Sequence, residues 1–438
     1  MNAVREVSSD VQLLLISVFL RRGSFGLTNQ VLALFLKAVG ISKSKIGLFM
    51  TLTLLGDTAI SYVLTWFSDQ IGRRLVMIAG ALLMLGSGIV FAMFSNFWVL
   101  LAAAIFGVIS TSGDETGPFK TVEEVCISHL TPPKHRASIF ALYGFLGRLG
   151  AASGALLCGF LVDYWSYGLS WDVEKCYRSI FVGYSCVAVV KLVLAACLTK
   201  NCELHEYIGG NAGAEVTEGD EQSPLLEEED EEQSSALAKK SGFKPQTRRL
   251  LPRLLFVFML DSLGYGFMPP AWIVFYFKRT FHPAASALGT LFFATNMVDS
   301  LSSIASAFTF NYLGPVKAIL AAQLPSAAFF FSIAFCKSYL LAATFYFLFC
   351  ATGTMDVVPR QVLLTAIIPK EDLLRVMGTV NIAKTFANCI GPVFTGRLAE
   401  HGLLSLGFII NGVCLVVADT VLGLSFGHLD ADVLAKHK

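Results

Sequence analysis

The chain has 438 residues, 55% of them hydrophobic and only 15% charged, with a mean hydropathy of +0.64. That composition excludes an ordinary soluble globular protein and defines a membrane protein. The 33 Lys and Arg almost cancel the 32 Asp and Glu, which excludes the broad basic surface that nucleic acid would require.

The first ten residues are polar and run directly into an apolar segment with no small-residue cleavage site, so the first span is expected to serve as an uncleaved insertion signal. A bilayer core of ~30 Å needs about 20 apolar residues in helical form, because backbone polar groups cannot go unpaired in lipid. That rule predicts twelve spans. They lie near residues 11–38, 44–67, 73–94, 97–121, 137–161 and 178–199, then 252–277, 286–311, 315–335, 339–367, 374–398 and 403–425. Pro118, Pro269, Pro270, Pro359 and Pro392 interrupt spans where neighbours or water must satisfy the freed backbone. Glycine-rich faces, "GFLGRLGAASG" at 144–154 and Gly378 to Gly396, suit close helix packing.

Between the sixth and seventh spans, residues 201–249 turn acidic and poor in aromatics, a composition that cannot bury enough apolar surface to fold. This divides the chain into an N-terminal six-helix bundle (1–200), a disordered acidic linker (201–249) and a C-terminal six-helix bundle (250–438). The linker ends in Lys239, Lys240, Lys244, Arg248, Arg249 and Arg253, a basic run that favours the cytosolic leaflet. Both termini are then expected in the cytosol. Lys37, Lys43, Lys45, Lys278 and Arg279 run against that bias. Within the linker, "EQSPLL" places Glu221, Leu225 and Leu226 in an acidic dileucine pattern of the kind read by sorting adaptors. The vacuolar or lysosomal membrane is therefore expected first and the plasma membrane second.

The two sets of six spans repeat each other. Gly47, Asp57, Asp69 and Gly72 meet Gly289, Asp299, Asn311 and Gly314 at one constant offset of 242, and Asp114 meets Asp356 at the same offset. Intramembrane aspartates are rare, so the coincidence implies two like-oriented copies of one fold. Parallel repeats of this kind place a substrate site near the midplane between them.

The loop "WFSDQIGRR" between the second and third spans resembles the signature loop of the major facilitator superfamily. Asp69, Gly72, Arg73 and Arg74 match it, while Thr65 replaces its first glycine and Gln70 its first basic residue. Its second copy, "FNYLGPVK", keeps Gly314 and Lys317. Stretches such as "GLFMTLTLLGD", "GDETGPFKTVEE", "LGTLFFATN", "MDVVPRQ" and "MGTVNIAKTFANCIGP" resemble a group of fungal facilitator-type transporters with no secure common substrate. The resemblance implies the major facilitator fold, an all-α membrane protein of twelve helices in two parallel six-helix repeats. It also implies a gating latch in which Asp69 works with Arg73 and Arg136, and a cavity lined by the first, fourth, seventh and tenth spans.

On those spans the polar positions are Arg22, Asn29, Asp114, Glu115, Lys120, Asp261, Asp356 and Arg360. Arg22 and Asn29, seven apart, share a helix face. Asp114 and Asp356, with Glu115 beside the first, are expected to couple protons, since desolvation favours the neutral form of a carboxyl. Arg22, Asn29, Lys120, Asp261, Arg360 and Lys384 are expected to bind substrate. Arg22 and Arg360 serve equally to neutralise a deprotonated carboxylate, or to form fixed ion pairs, Arg22 with Asp57 and Arg360 with Asp356. Arg148 and Lys384 reach the cavity or snorkel, and Lys191 is expected to snorkel.

The ten cysteines lack any C-x-x-C pair or zinc-ligand spacing and are read as packed free thiols, so no metal or cofactor is expected. No Walker lysine motif supports ATP-driven pumping, and no nucleophile, base and orienter set supports an enzyme. The reading is a monomeric secondary transporter that moves a small polar solute by alternating access, coupled to protons and surrounded by lipid. An uncoupled facilitator and a non-transporting nutrient receptor are the alternatives. The residues leave the charge and identity of the solute open.

Overall fold

The computed structural model describes residues 8–107, 109, 118–199, 202 and 244–427. Among them all regular structure is helical. In chain order the helices are α1 (Ser9–Ala38), α2 (Lys43–Ile71), α3 (Arg73–Met93), α4 (Phe97–Phe106), α5 (Pro118–Leu130), α6 (Pro133–Asp163) and α7 (Val173–Cys197). After the acidic segment come α8 (Pro245–Phe267), α9 (Pro270–Phe281), α10 (Ala285–Leu313), α11 (Pro315–Ile333), α12 (Tyr339–Gly353), α13 (Val357–Ile367), α14 (Lys370–Glu400) and α15 (Leu406–Phe426). Eight helical stretches are long and apolar enough to cross a membrane, Ser9–Ala38, Thr247–Phe281 and Tyr339–Ile367 among them. The chain is an integral, multi-pass membrane protein.

Prolines cut two of the predicted spans where the sequence places them. Pro269 and Pro270 end α8 and start α9, Pro270 occupying a first-turn position where its missing N–H costs nothing. Between α12 and α13 the chain tightens into a single 3-10 turn, Thr354–Asp356, which ends three residues ahead of the buried Pro359. The Val358 N–H at this break donates to Ser306 Oγ on α10 at 3.1 Å, which satisfies a donor that lipid could not.

The 242-residue offset recurs in the packing. The α1·α6 contact is matched by α8·α14, α3·α7 by α11·α15, and α2·α14 by α10·α6. Small residues make the last two possible: a Cβ built on Gly396 would lie 2.8 Å from the Gly47 Cα, and one on Gly289 would lie 2.7 Å from the Ala155 carbonyl oxygen. Backbone conformation repeats too. Gly72 precedes α3 with φ 100°, and Gly314 precedes α11 with φ 80°. A side chain is strained at either position, so Gly72→Ala and Gly314→Ala are each expected to destabilise the protein by about 1–3 kcal/mol, read as lowered thermal midpoints in detergent.

At the start of α8, the Lys244 N–H and the Thr247 hydroxyl donate to Asp372 Oδ2 in the first turn of α14, at 3.1 and 2.6 Å. Asp372 lies beyond the predicted membrane segment. The Thr247 hydroxyl, backed by the Lys244 N–H, holds its carboxyl below the ordinary value of 3.8, with burial opposing. A lowered folded-state value stabilises the protein above the unfolded value and ceases to do so as pH falls through the folded one. Asp372→Asn is therefore expected to lower the thermal midpoint at neutral pH. The gap to the parent should close as pH drops below about 4.

All ten cysteines are free, and five of them are buried. Lys191 does not snorkel: it is 6% exposed and lines a small void with Ser17 and Glu123. Its place on the inward face of α7 keeps the side chain within the bundle.

Candidate functional site

A central cavity of about 620 Å³ opens between the helices that precede the acidic segment and those that follow it. On one side α1 contributes Arg22 and Asn29 and α6 contributes Arg148; on the other stand Asp261, Tyr265, Asp299, Gln323, Asp356, Arg360 and Lys384. The seven-residue spacing of Arg22 and Asn29 does bring both to one wall. Their neighbour Arg21 faces elsewhere, because consecutive helical residues point about 100° apart. It donates to Glu123 Oε2 at 2.8 Å in a buried knot completed by Tyr143 and Ser17.

The charged centre of the cavity is Arg360. Its Nη1 and Nη2 donate to the two Asp261 oxygens at 2.7 and 3.1 Å, a two-pronged pair from α13 to α8, and it also pairs with Asp356 one turn back. Of the fixed pairs expected from sequence, Arg360 with Asp356 is formed. Asp261 and Asp356 are 4% and 5% exposed, so both carboxylates depend on this guanidinium. The 3-10 break positions Asp356: a continuous helix through Thr354–Asp356 would hold it at a different angle. Arg360 and Lys384 approach the same ring, Phe258, at 5.6 and 6.0 Å from its centroid. Arg22 lies 5.1 Å from the Phe25 centroid and is 7% exposed. Arg148 reaches across the cavity to pair with Asp299, which resolves its two expected placements in favour of the cavity.

One end of the cavity is closed by helix termini. Glu400, the last residue of α14, accepts from the Ser44 N–H of α2 at 3.1 Å, while Lys43 Nζ donates to the Ala399 carbonyl at 3.0 Å. Asp163, the last residue of α6, accepts from the Ala285 and Ser286 N–H groups of α10 at 2.9 and 2.7 Å. Each contact places charge where the helix dipole favours it. Residues 43 and 44 correspond to 285 and 286 at the 242 offset, so the clasp is built twice from equivalent helix starts. From this clasp the cavity extends past Asp356 toward Phe258, Leu364 and Met377 at the other end.

Among the other expected site residues, Lys120 lies on α5, half-buried and apart from the cavity wall. At the end opposite the clasp, Gly72 makes its turn, Arg73 is 5% exposed, Arg74 donates to the Ala196 carbonyl and Arg136 is exposed. Asp114, Glu115, Glu221, Leu225 and Leu226 lie outside the described residues, as does the side chain of Asp69. Sequence reasoning missed Asp163 and Glu400, whose role depends on partners 122 and 356 residues away. It also missed Asp419.

An all-helical multi-pass chain about a charged central cavity is the architecture of a membrane carrier rather than an enzyme. The Major Facilitator Superfamily model matches residues 14–240 and 254–433, and the chain belongs to that family. It is 46% identical over 435 residues, 97% of this chain and 96% of the other, to a Saccharomyces cerevisiae protein described as an uncharacterized membrane protein. Among solved structures it is similar in fold to a bacterial homologue of the human lysosomal transporter Spinster in an inward-facing conformation, with a TM-score of 0.68 at 13% identity over 98% of this chain and 97% of that one. A D-xylose–proton symporter superposes with a TM-score of 0.69 at 16% identity over 94% of this chain and 97% of that one.

Proposed function

We propose that the protein is a secondary active transporter that moves a small polar solute by alternating access, coupled to protons. The observation that carries this reading is the Asp261–Arg360–Asp356 cluster, a set of buried, mutually dependent charges on the wall of a cavity shared by both sets of helices. Such groups are costly in a membrane and are retained where a solute or a proton uses them. In this reading twelve spans form two parallel six-helix bundles, 1–200 and 250–438, joined by the acidic linker 201–249. Both termini and the linker face the cytosol, so the clasped end faces away from it and the conformation is inward-facing.

Proton coupling falls to Asp356, with Asp114 and Glu115 as its counterparts in the first bundle. Arg22, Asn29, Asp261, Arg360 and Lys384 contact solute, while Lys120, away from the cavity wall, does not. Asp69, Gly72, Arg73, Arg74 and Arg136 form the latch of the opposite, outward-open state. The linker's Glu221, Leu225 and Leu226 direct the protein to the vacuolar or lysosomal membrane by recruiting a sorting adaptor.

A solute screen on vesicles with and without a pH gradient tests this, followed by Asp356→Asn in reconstituted liposomes. Accumulation against a gradient should be lost while solute exchange at equilibrium survives. An Asp356→Asn variant that concentrates solute as the parent does contradicts the assignment. The two-pronged Arg360–Asp261 pair also suits a permanent lock in an uncoupled facilitator, in which case accumulation would be absent from the parent as well.

A further inference from the structure

Asp419 is the one charged residue of α15, and it sits where a charge has no evident reason to be. It is 2% exposed, no described side chain or backbone group hydrogen-bonds to it, and its Oδ2 is shut off from solvent. Ala418 and Leu422, on either side of it, pack into one apolar cluster with Phe258 and Leu364, which themselves line the cavity. Asp419 thus sits on a helix packed against α8 and α11, two of the helices that bear the cavity wall. The charged groups within electrostatic reach are Arg360, Asp261 and Asp356, from α13, α8 and the 3-10 turn. Tyr265 on α8 and Gln323 on α11 stand beside that cluster, and Lys384 of α14 shares the Phe258 ring with Arg360.

The charge inventory of this region does not balance. Within that reach three carboxylates, Asp261, Asp356 and Asp419, face one cation, Arg360. Asp261 and Asp356 both have Arg360, whereas among the described residues no ion pair is formed by Asp419 and its Oδ2 has no hydrogen bond. A metal cation would need several oxygen ligands around it, and no group of potential ligands able to hold one exists among the described residues. A proton needs one oxygen.

We propose that Asp419 is a proton-binding site, neutral in the clasped conformation, that controls the Asp261–Arg360–Asp356 cluster from behind. When the O–H bond of Asp419 breaks, the proton passes to cavity water and the carboxylate left behind becomes a third claimant on Arg360. The bonds that tie α13 to α8 weaken in consequence. Proton release thereby reaches the cavity wall without Asp419 touching solute, which makes it a positioning residue. Its coupling role rests on the proposed proton-driven transport, whereas its protonation does not.

Infrared difference spectroscopy of the full-length protein in lipid nanodiscs reads the protonation directly. At neutral pH the parent should show the carbonyl band of a protonated carboxylic acid. That band should be lost in Asp419→Asn and kept in Asp356→Asn. A band that persists in full in Asp419→Asn overturns the site. A second readout needs no variant: an apolar carbodiimide attacks protonated carboxyls in dry surroundings, and peptide mass spectrometry of the parent should place the adduct on Asp419. Labelling that leaves Asp419 unmodified contradicts the proposal. A parent whose transport ignores a pH gradient but whose band vanishes in Asp419→Asn would remove the coupling and keep the proton site, so the two readings fail separately.

Discussion

Replacing Arg360 by alanine is expected to abolish solute accumulation and to lower stability by about 3–5 kcal/mol, the cost of leaving a buried ion pair with one partner missing. The size follows from the geometry. Asp261 takes both prongs of the guanidinium and Asp356 a third contact, and both carboxylates are almost wholly buried. Arg360→Lys keeps the charge but not the fork, so it should recover part of the stability and little of the transport. Removing the opposing charge along with the arginine, as in Asp261→Asn with Arg360→Gln, should be milder than Arg360→Ala alone. Thermal unfolding in detergent checks each step, and an Arg360→Ala protein as stable as the parent would refute the cluster's structural role.

Opening the clasp is expected to move the conformational equilibrium rather than the fold. Asp163 is half-buried and bonds two N–H groups of α10, for which a charge at a helix start contributes up to about 2 kcal/mol; the exposed Glu400 contributes less, about 0.3–1 kcal/mol. Each 1.4 kcal/mol is about tenfold in population, so Asp163→Ala with Glu400→Ala should raise the fraction open at the clasped end by about ten- to a hundredfold. A membrane-impermeant maleimide added at that face should then label Cys350, which lines the cavity, faster by a similar factor. Unchanged labelling would show that the glycine contacts, such as Gly47 against Gly396, hold that end alone.

Most of the helical layout was legible because it follows from two rules, that lipid demands helices and that proline ends them. The breaks at Pro269–Pro270 and ahead of Pro359 fall where those rules put them. The 242 offset was legible from aspartates and glycines, and it reappears at Gly72 and Gly314, where only glycine adopts the turn without strain. Side-chain direction was less accessible. Arg21 and Arg22 are adjacent in sequence, yet one joins a buried knot with Glu123 and the other faces the cavity. Lys191 lies near a span end and so reads as a snorkelling residue, but the face of α7 it occupies is packed.

The clasp was invisible because capping is a contact between helix ends far apart in sequence. It also accounts for part of the excess of lysines at the face where few were expected. Lys43 bonds the C-terminus of α14, and Lys278 donates to the Pro283 carbonyl at 2.8 Å. These cations have local partners that compete with the general preference for the cytosolic side. Asp419 carried no signal of the repeat, since Tyr177 stands at its offset position.

The most direct test of the whole account is two-sided accessibility of the central cavity. Asn381, exposed on the cavity wall, is suited to a single-cysteine substitution, Asn381→Cys, in a cysteine-free background reconstituted with known orientation. Alternating access predicts labelling from either face of the membrane, with conditions that favour one face suppressing the other. Labelling confined to one face under every condition, with solute present or absent and with or without a pH gradient, would contradict it.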